Sequence, residues 1–557
     1  MQDGRVISLR AIVVGSLLGV LFAGAASYAG HKAAIIDGGN IPAAIIAFGI
    51  LSAVLRRRPS VHDGNVVQTV SSSAATMAIT GGTVGPVAAL ALADRTPPLY
   101  LVILWGIAVG VVGALMAVPL RTAFITRGTL PFPSGAATAE VLDTIYTGTR
   151  SAGRHLKLLA VGSVAAFALA FARSFLGWIP EMQVIPVTLG GIPPEAIGLG
   201  IGWSPLYLAI GFFSGARAAV SLVIGSVVAW IVIAPRLVGA GIAAPDYISL
   251  LNWLLWSGTG LMIGGTLGGI VGAWRGMRAS LRDVSAADGF RTTRAHAIQL
   301  AIAGAAVIVF GTLAFDVHPL IPAFGLVLSA LLCAAAARAM GETDNTPAGP
   351  LGGFAQLVVG VTAPGGIDAP IAGGGVVNGT LMHSAMMLQN WKTGAIVKTP
   401  PRTQLIAQLI GVVVGAATCA GAFVLIKNAY GFGNETMPTP AAVSWRATAD
   451  VVKNGIAAMP AYAPLSAAIA FVLGIVLSLR PIARFAPSPV AVGMAFIMPP
   501  QMALAIAIGG FIYWLVARRS KQAADSDGLA LASSMIAGEA IAGLLVAALI
   551  VLGVSAP

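Results

Sequence analysis

The stretch LYLVILWGIAVGVVGALMAVPL, residues 99–120, contains no charged side chain. A helix needs about 20 apolar residues to cross the roughly 30 Å of hydrocarbon in a bilayer, and this stretch is long enough. It also carries Gly106 and Gly110 at the spacing that lets two membrane helices approach closely. It therefore predicts a transmembrane helix that packs against other helices.

Similar apolar segments recur along the whole chain. Of its 557 residues, 57% are hydrophobic and 9% are charged, whereas soluble domains contain about 25% charged residues. The longest polar stretch, near residues 274–296, is too short to form a separate soluble domain, because domains rarely have fewer than about 50 residues. We therefore predict an all-α polytopic integral membrane protein with about 14–16 embedded helices.

The basic residues lie in short segments beside the apolar runs, and the formal net charge is +12 at pH 7. The sequence has no basic helix and no basic patch with interleaved aromatic residues, which argues against nucleic acid as a partner. Short loops rich in Lys and Arg stay on the cytoplasmic side of membrane proteins. We therefore predict a multi-pass protein of the cytoplasmic membrane, with the lipid bilayer as its surroundings.

The second part of the sequence repeats short motifs of the first part in the same order. The motifs IPA and TPP each occur twice, at 41–43 and 321–323 and at 96–98 and 399–401, and the Pro-x-Pro motif at 131–133 matches the one at 438–440. Their order predicts two homologous transmembrane halves, residues 1–280 and 281–557. Duplicated halves with interrupted helices at their interface are typical of secondary transporters. The alternative is that the motifs are packing sequence of low complexity.

Four segments are too polar or too short to be ordinary spans. Residues 66–92 are rich in Ser and Thr, and residues 363–379 are rich in Gly and Pro. We expect both to be buried against protein or to line a cavity, because hydrocarbon offers their backbone no hydrogen-bond partner. Residues 131–147 and 438–454 are predicted to be interior or re-entrant half-helices.

Acidic side chains in the membrane are functional candidates, because inserting one costs at least about 2.5–3.5 kcal/mol. Glu140 and Asp143 lie one helical turn apart, directly after a proline-rich break. Two carboxylates at this spacing repel each other when both are ionised, which makes one of them a candidate proton carrier. Alternatively, Glu140 lies at a wet helix end or pairs with Arg150 or Arg154.

The residues that begin this helix are candidates for binding substrate. A helix that starts near Ser134 and Gly135 presents unpaired N–H groups, which suit an anionic group such as a carboxylate. Thr138 follows one turn later and belongs to the same predicted site.

Three further acids have both a functional and a structural interpretation. Glu539 interrupts a long apolar run, and it either serves transport or forms an ion pair with an arginine elsewhere in the chain. Asp450 either contacts substrate or pairs with Arg446, which lies one turn before it. Asp368 lies in a predicted glycine-rich break, where it either faces a cavity or caps a turn.

Lys392 and Arg402 are candidates for binding substrate carboxylates, with snorkelling to the membrane interface as the alternative. Cys333 and Cys419 lie in separate apolar runs, and no His or Cys pair has metal-ligand spacing. Nucleophile elbows and phosphate-binding loops are absent from the sequence. We therefore predict no catalytic residue, no metal site and no cofactor.

Residues 128–142, GTLPFPSGAATAEVL, resemble the FPSG-T-ATAEVL signature of the oligopeptide transporter (OPT) family, which includes the yellow stripe-like metal-chelate transporters. Supporting blocks lie at 341–347, 388–394, 487–493 and 536–539. The chain is similar to a prokaryotic member of this family over nearly its whole length. It departs from the signature at Ala136, where the family usually has a threonine hydroxyl.

The resemblance implies a proton-coupled symporter that imports small oligopeptides or peptide-like metal chelates, with this small-molecule substrate and protons as its partners. Such a carrier meets a metal only inside its chelate, which agrees with the lack of a His or Cys cluster. The first alternative is Na⁺-coupled or passive transport of another small organic solute. The second is a membrane-embedded enzyme, which would need a catalytic constellation that the sequence does not show. Homo-oligomer formation is left open.

Overall fold

The fold is almost entirely helical. The computed structural model describes residues 8–34, 40–55, 59–126, 130–146, 151–286, 294–343, 346–363, 366–455 and 459–554. The first helices are α1 (Leu9–Ala33), α2 (Asn40–Leu55), α3 (Val61–Thr80), α4 (Pro86–Ala91), α5 (Leu99–Arg121), α6 (Pro133–Tyr146), α7 (Ser151–Ser174), α8 (Pro205–Ser226), α9 (Ala234–Gly239), α10 (Tyr247–Ala286) and α11 (Arg294–Phe315). They are followed by α12 (Leu320–Thr343), α13 (Ala348–Thr362), α14 (Asp368–Ile396), α15 (Pro401–Tyr430), α16 (Pro440–Asn454), α17 (Ala463–Ser478), α18 (Arg480–Ala483), α19 (Pro489–Ala495), α20 (Pro500–Arg519), α21 (Lys521–Ala523) and α22 (Leu529–Val551).

Other regular structure is short. Strands β1 (Met182–Val184) and β2 (Gly200–Gly202) form an antiparallel pair between α7 and α8. Short 3₁₀ and π-helical segments occupy Pro194–Ile197, Thr122–Thr126, Val227–Ile233 and Ala524–Gly528. The predicted all-α membrane architecture is confirmed.

Among the described residues, nine helical segments are long and apolar enough to cross a bilayer. They are Leu9–Ala33, Leu99–Thr126, Lys157–Ser174, Pro205–Gly239, Arg294–Phe315, Leu320–Glu342, Pro401–Tyr430, Pro500–Arg519 and Leu529–Val551. Nine is fewer than the predicted 14–16 embedded helices. Part of the difference comes from α3 and α14, which are long enough to span a bilayer but carry many polar side chains.

Helices α3 and α14 lie in the interior of the molecule. Residues 64–78 of α3 and 370–381 of α14 are all buried. Helix α3 packs against α1 and α15, and α14 packs against α5, α12 and α13. The polar residues of these two helices therefore face protein rather than lipid, as expected from the backbone argument.

Most of residues 363–379 are helical, whereas the sequence predicts a glycine-rich break over this whole stretch; of its described residues, 363, 366 and 367 lie outside helices. Helix α14 begins at Asp368 and continues to Ile396. Its glycines serve close packing: a Cβ atom on Gly374 would lie 2.6 Å from the backbone oxygen of Gly352, and one on Gly379 would lie 2.5 Å from that of Thr80. In membrane proteins such small residues permit close contacts between helices. The packing energy of these contacts here outweighs the low intrinsic helix propensity of glycine.

Helices α6 and α16 are short, with 14 and 15 residues. At a rise of 1.5 Å per residue each is about 21–23 Å long, less than the hydrocarbon thickness. Each begins at the second proline of a Pro-x-Pro motif, and both contact α14. The two predicted half-helices are therefore present as short helices, and the division into halves 1–280 and 281–557 stays a prediction.

Candidate functional site

Helix α6, which carries the signature sequence, packs closely on α14. A Cβ atom on Gly135 would lie 2.7 Å from the backbone oxygen of Gln389, so glycine is required for this approach. The Thr393 hydroxyl donates to the Gly135 carbonyl oxygen over 2.8 Å. The Lys392 Nζ donates to the carbonyl oxygen of Leu130 over 2.9 Å. Gly135 and Lys392 therefore fix the start of α6 against α14.

The two faces of α6 differ in chemistry. Thr138 is buried, and its hydroxyl donates to the Ser134 carbonyl oxygen over 2.7 Å. Glu140 and Asp143 lie on the other face, and both are exposed. The sequence prediction that two carboxylates share one face of this helix agrees with this geometry. The helix thus has one face bonded to α14 and one acidic face turned away from it.

The alternative partners of Glu140 are not next to it in the described structure. Arg154 pairs instead with Asp527, with 2.6 Å between Nη2 and Oδ2. Arg150 lies outside the described residues. Within the ranges that the structure describes, Glu140 forms no ion pair.

Glu539 forms a buried ion pair that joins three helices. Its Oε1 lies 2.9 Å from Nη2 of Arg173, and 2% and 4% of the two side chains are exposed. The Ser204 hydroxyl lies 2.9 Å from each carboxylate oxygen, and the Leu206 backbone N–H donates to Oε2 over 2.8 Å. Arg173 also donates to the Trp203 carbonyl oxygen over 2.5 Å. The carboxylate of α22 therefore binds the arginine of α7 and the N-terminus of α8 together.

The remaining predicted acids also have basic partners. Arg446 Nε donates to Asp450 Oδ2 over 2.7 Å within α16. Asp368 pairs with Arg95, with 2.5 Å between Oδ2 and Nη1, and it is the first residue of α14 rather than part of a break. Arg402 is exposed in the first turn of α15. The Asp450 contact is the local pair that was its structural alternative, whereas Asp368 forms an ion pair with Arg95 that neither of its alternatives included.

A polar network that the sequence analysis did not identify connects α3, α14 and α15. Gln68 Nε2 donates to Asn390 Oδ1 over 2.9 Å, and Asn390 Nδ2 donates to Gln408 Oε1 over 2.9 Å. Gln408 Nε2 lies 3.0 Å from Nε2 of His383, and Ser72 also contacts Asn390. All five side chains are buried. The sequence signal that could have indicated this network is the pair Gln404 and Gln408, which lie four residues apart in an otherwise apolar segment.

Arg173 and Lys32 were also missed. Each ends a predicted apolar segment, where a basic residue is usually an interfacial anchor. Both side chains are buried instead. Only tertiary contacts distinguish these two cations from ordinary flanking charges.

The described residues include no group of three His, Cys, Asp or Glu side chains arranged to bind a metal ion. Cys333 and Cys419 are buried and form no disulfide. Polar side chains in the interior form hydrogen bonds and an ion pair with each other. A multi-pass helical protein with short helices against a polar interior has the organisation of a secondary transporter.

The comparisons with known proteins identify the family. The model of the family described as "OPT oligopeptide transporter protein" matches residues 6–550. The chain belongs to this oligopeptide transporter family, and the resemblance seen in its signature is confirmed.

Individual relatives align over nearly the full chain. The chain is 24% identical to "Probable metal-nicotianamine transporter YSL11" of Oryza sativa subsp. japonica, covering 99% of this chain and 88% of the relative. It is 23% identical to "Probable metal-nicotianamine transporter YSL5" of Arabidopsis thaliana, with coverages of 99% and 88%. It is 24% identical to "Putative oligopeptide transporter" of Haemophilus influenzae, with coverages of 95% and 93%. All three are described as transporters, so the protein is a transporter and not a membrane-embedded enzyme.

Proposed function

We propose that the protein is a proton-coupled symporter that imports small oligopeptides or peptide-like metal chelates across the cytoplasmic membrane. The substrate class is taken from the relatives, whose descriptions name oligopeptides and metal-nicotianamine. In this proposal any metal is cargo inside its chelate.

The coupling proposal rests on the difference between the two faces of α6. Gly135 and Thr138 are buried on one side, whereas Glu140 and Asp143 are exposed on the other. A carboxylate that faces lipid is costly, so the acidic face of a membrane-embedded α6 would line a water-filled passage. An exposed carboxylate beside such a passage is accessible to protons from its water. Glu140 is therefore assigned as the coupling acid.

Glu539 is a weaker candidate for carrying the proton. Arg173, Ser204 and the Leu206 N–H already satisfy its carboxylate. Protonating Glu539 would remove the counter-charge of a buried arginine, which is costly. We assign Glu539 to structure.

The coupling is tested by uptake into proteoliposomes. Di- to hexapeptides and iron or nickel chelates are offered with and without an inward proton gradient, and the gradient is expected to drive accumulation. Glu140→Gln is expected to abolish the gradient-driven part, because an amide cannot carry the proton. Glu195→Gln, which changes an exposed acid near β2 in the same way, is the matched control.

Uptake that is independent of the gradient in the unchanged protein would refute proton coupling. Gradient-driven uptake that is equal in Glu140→Gln and Glu195→Gln would refute the assignment of Glu140 as the coupling acid. Replacing Na⁺ by choline separates the remaining alternative, because Na⁺ symport would then stop while proton symport continues.

A further inference from the structure

Several helix ends meet around Lys32. Helix α1 ends just after this residue and α7 ends just after Arg173, while α8 begins beside both at Pro205. The segment before α16 joins them, because the Thr439 N–H donates to the His31 carbonyl oxygen over 2.9 Å. The site therefore lies where α1 and α7 reach the same end of the molecule.

Lys32 is a buried cation without an acidic partner. Its exposed fraction is 6%. Its Nζ lies 5.9 Å from the ring centroid of Tyr28, one turn earlier on α1. No carboxylate of the described residues lies within ion-pair distance of it. A tyrosine ring supplies only part of the stabilisation that a buried ammonium group loses with its water.

Three other charges act on Lys32, and they belong to Glu181, Arg173 and Glu539. Arg173 and Glu539 neutralise each other in their ion pair, and Glu181 is exposed. The C-terminal end of α1 contributes about half an elementary negative charge, which offsets the lysine only in part. The buried side chains Lys32, Arg173 and Glu539 therefore carry one net positive charge, and the exposed Glu181 is the acid that offsets it.

Two hydrogen-bond donors without partners lie on the neighbouring helices α7 and α8. In the described part of the chain, the Tyr207 hydroxyl and Arg173 Nε are both buried with no hydrogen-bond partner. Tyr28 and Tyr207 pack in one cluster, and the charge of Arg173 acts on both. Leaving such donors unpaired costs about 1–3 kcal/mol each, so a bound acceptor would stabilise them.

We propose that Lys32, with the Tyr207 hydroxyl and Arg173 Nε, forms an internal anion site that binds a carboxylate of the transported molecule. A carboxylate supplies the missing negative charge and accepts hydrogen bonds from several donors at once. The identity of the anion as substrate rests on the proposed function, because peptides and peptide-like chelators carry carboxylates. The existence of the site depends only on the buried charges and donors.

Binding to the purified full chain tests the site without transport. The probes are trialanine and its C-terminal amide, and the readout is the ligand concentration that raises the thermal unfolding midpoint. We expect the unchanged protein to bind trialanine about 10- to 100-fold more tightly than the amide. Lys32→Gln is expected to remove this preference, and Lys427→Gln, at a half-buried lysine bonded to Thr96, is expected to keep it.

Two more conservative variants test the proposal if Lys32→Gln does not fold. Lys32→Arg retains the charge and is expected to retain the preference for trialanine. Tyr207→Phe loses only the hydroxyl and is expected to weaken trialanine binding about 2- to 10-fold, with little effect on the amide. Equal binding of both probes by the unchanged protein, no binding of either, or an unaltered preference in Lys32→Gln would each overturn the proposal.

The two proposals fail in different ways. If uptake by the unchanged protein does not depend on the proton gradient while trialanine binding still depends on Lys32, only the coupling proposal fails. If gradient-driven uptake is present and Lys32→Gln keeps the full preference for the carboxylate, only the anion site fails.

Discussion

At the scale of single residues, three charged side chains have different surroundings although they look alike in sequence. Glu539 binds Arg173 and the N-terminus of α8, so it connects α22, α7 and α8. Glu140 is exposed and forms no ion pair within the described ranges. Lys32 is buried without a carboxylate of the described residues beside it. Our proposals therefore assign Glu539 to structure, Glu140 to proton exchange and Lys32 to ligand binding.

The Glu539→Gln variant is expected to be strongly destabilised. The amide has the same size but leaves Arg173 buried without a counter-charge, at a cost of about 3–5 kcal/mol. The thermal unfolding midpoint in detergent measures the effect, with Glu195→Gln at an exposed acid as the control. Equal midpoints for the two variants would show that the buried pair contributes nothing to stability.

At the scale of elements, α14 organises the interior. It packs against α5, α12 and α13, and contacts both short helices α6 and α16. Its glycines allow the close contacts, while Asn390 and His383 share buried hydrogen bonds with α3 and α15. Polar side chains in such a network specify one arrangement of helices, because misplaced partners would be left unsatisfied.

Gly135→Ala is expected to disturb the α6 and α14 contact. Its new Cβ atom would lie 2.7 Å from the Gln389 oxygen, so α6 must shift, which we expect to cost about 1–3 kcal/mol. We expect a lower unfolding midpoint and slower uptake, since the acidic face of α6 moves as well. Gly421→Ala on α15, where no atom lies within 4 Å of the added Cβ, should leave both unchanged. A Gly135→Ala protein with normal uptake and stability would contradict the close contact.

At the scale of the whole molecule, the open question is which exposed surface faces water and which faces lipid. Many exposed side chains on the nine long segments are large and apolar, such as Leu313 on α11 with 58% of its surface exposed. Such a surface suits hydrocarbon. The acidic face of α6 does not, so the fold must place it against water.

Cysteine labelling distinguishes the two environments. The native Cys333 and Cys419 are buried, so the background is expected to be low. In the membrane, Glu140→Cys should react with a charged maleimide, whereas Leu313→Cys should not, because maleimides attack the thiolate, which forms only in water. Equal labelling of the two positions would contradict a water-filled passage beside α6.

The sequence by itself determined the membrane class, the family, and the positions of α6 and α16, because apolar length and proline breaks are local properties. It also placed Glu140 and Asp143 on one face, since that follows from helical periodicity. It did not show that 368–396 is one helix, because the glycines find their partners on α13 and α3. Nor did it show that Arg173 binds Glu539 while Lys32 has no acid, since ion pairs between distant segments depend on how the helices pack. Tertiary structure alone decided which buried charges are already neutralised and which remain for a ligand.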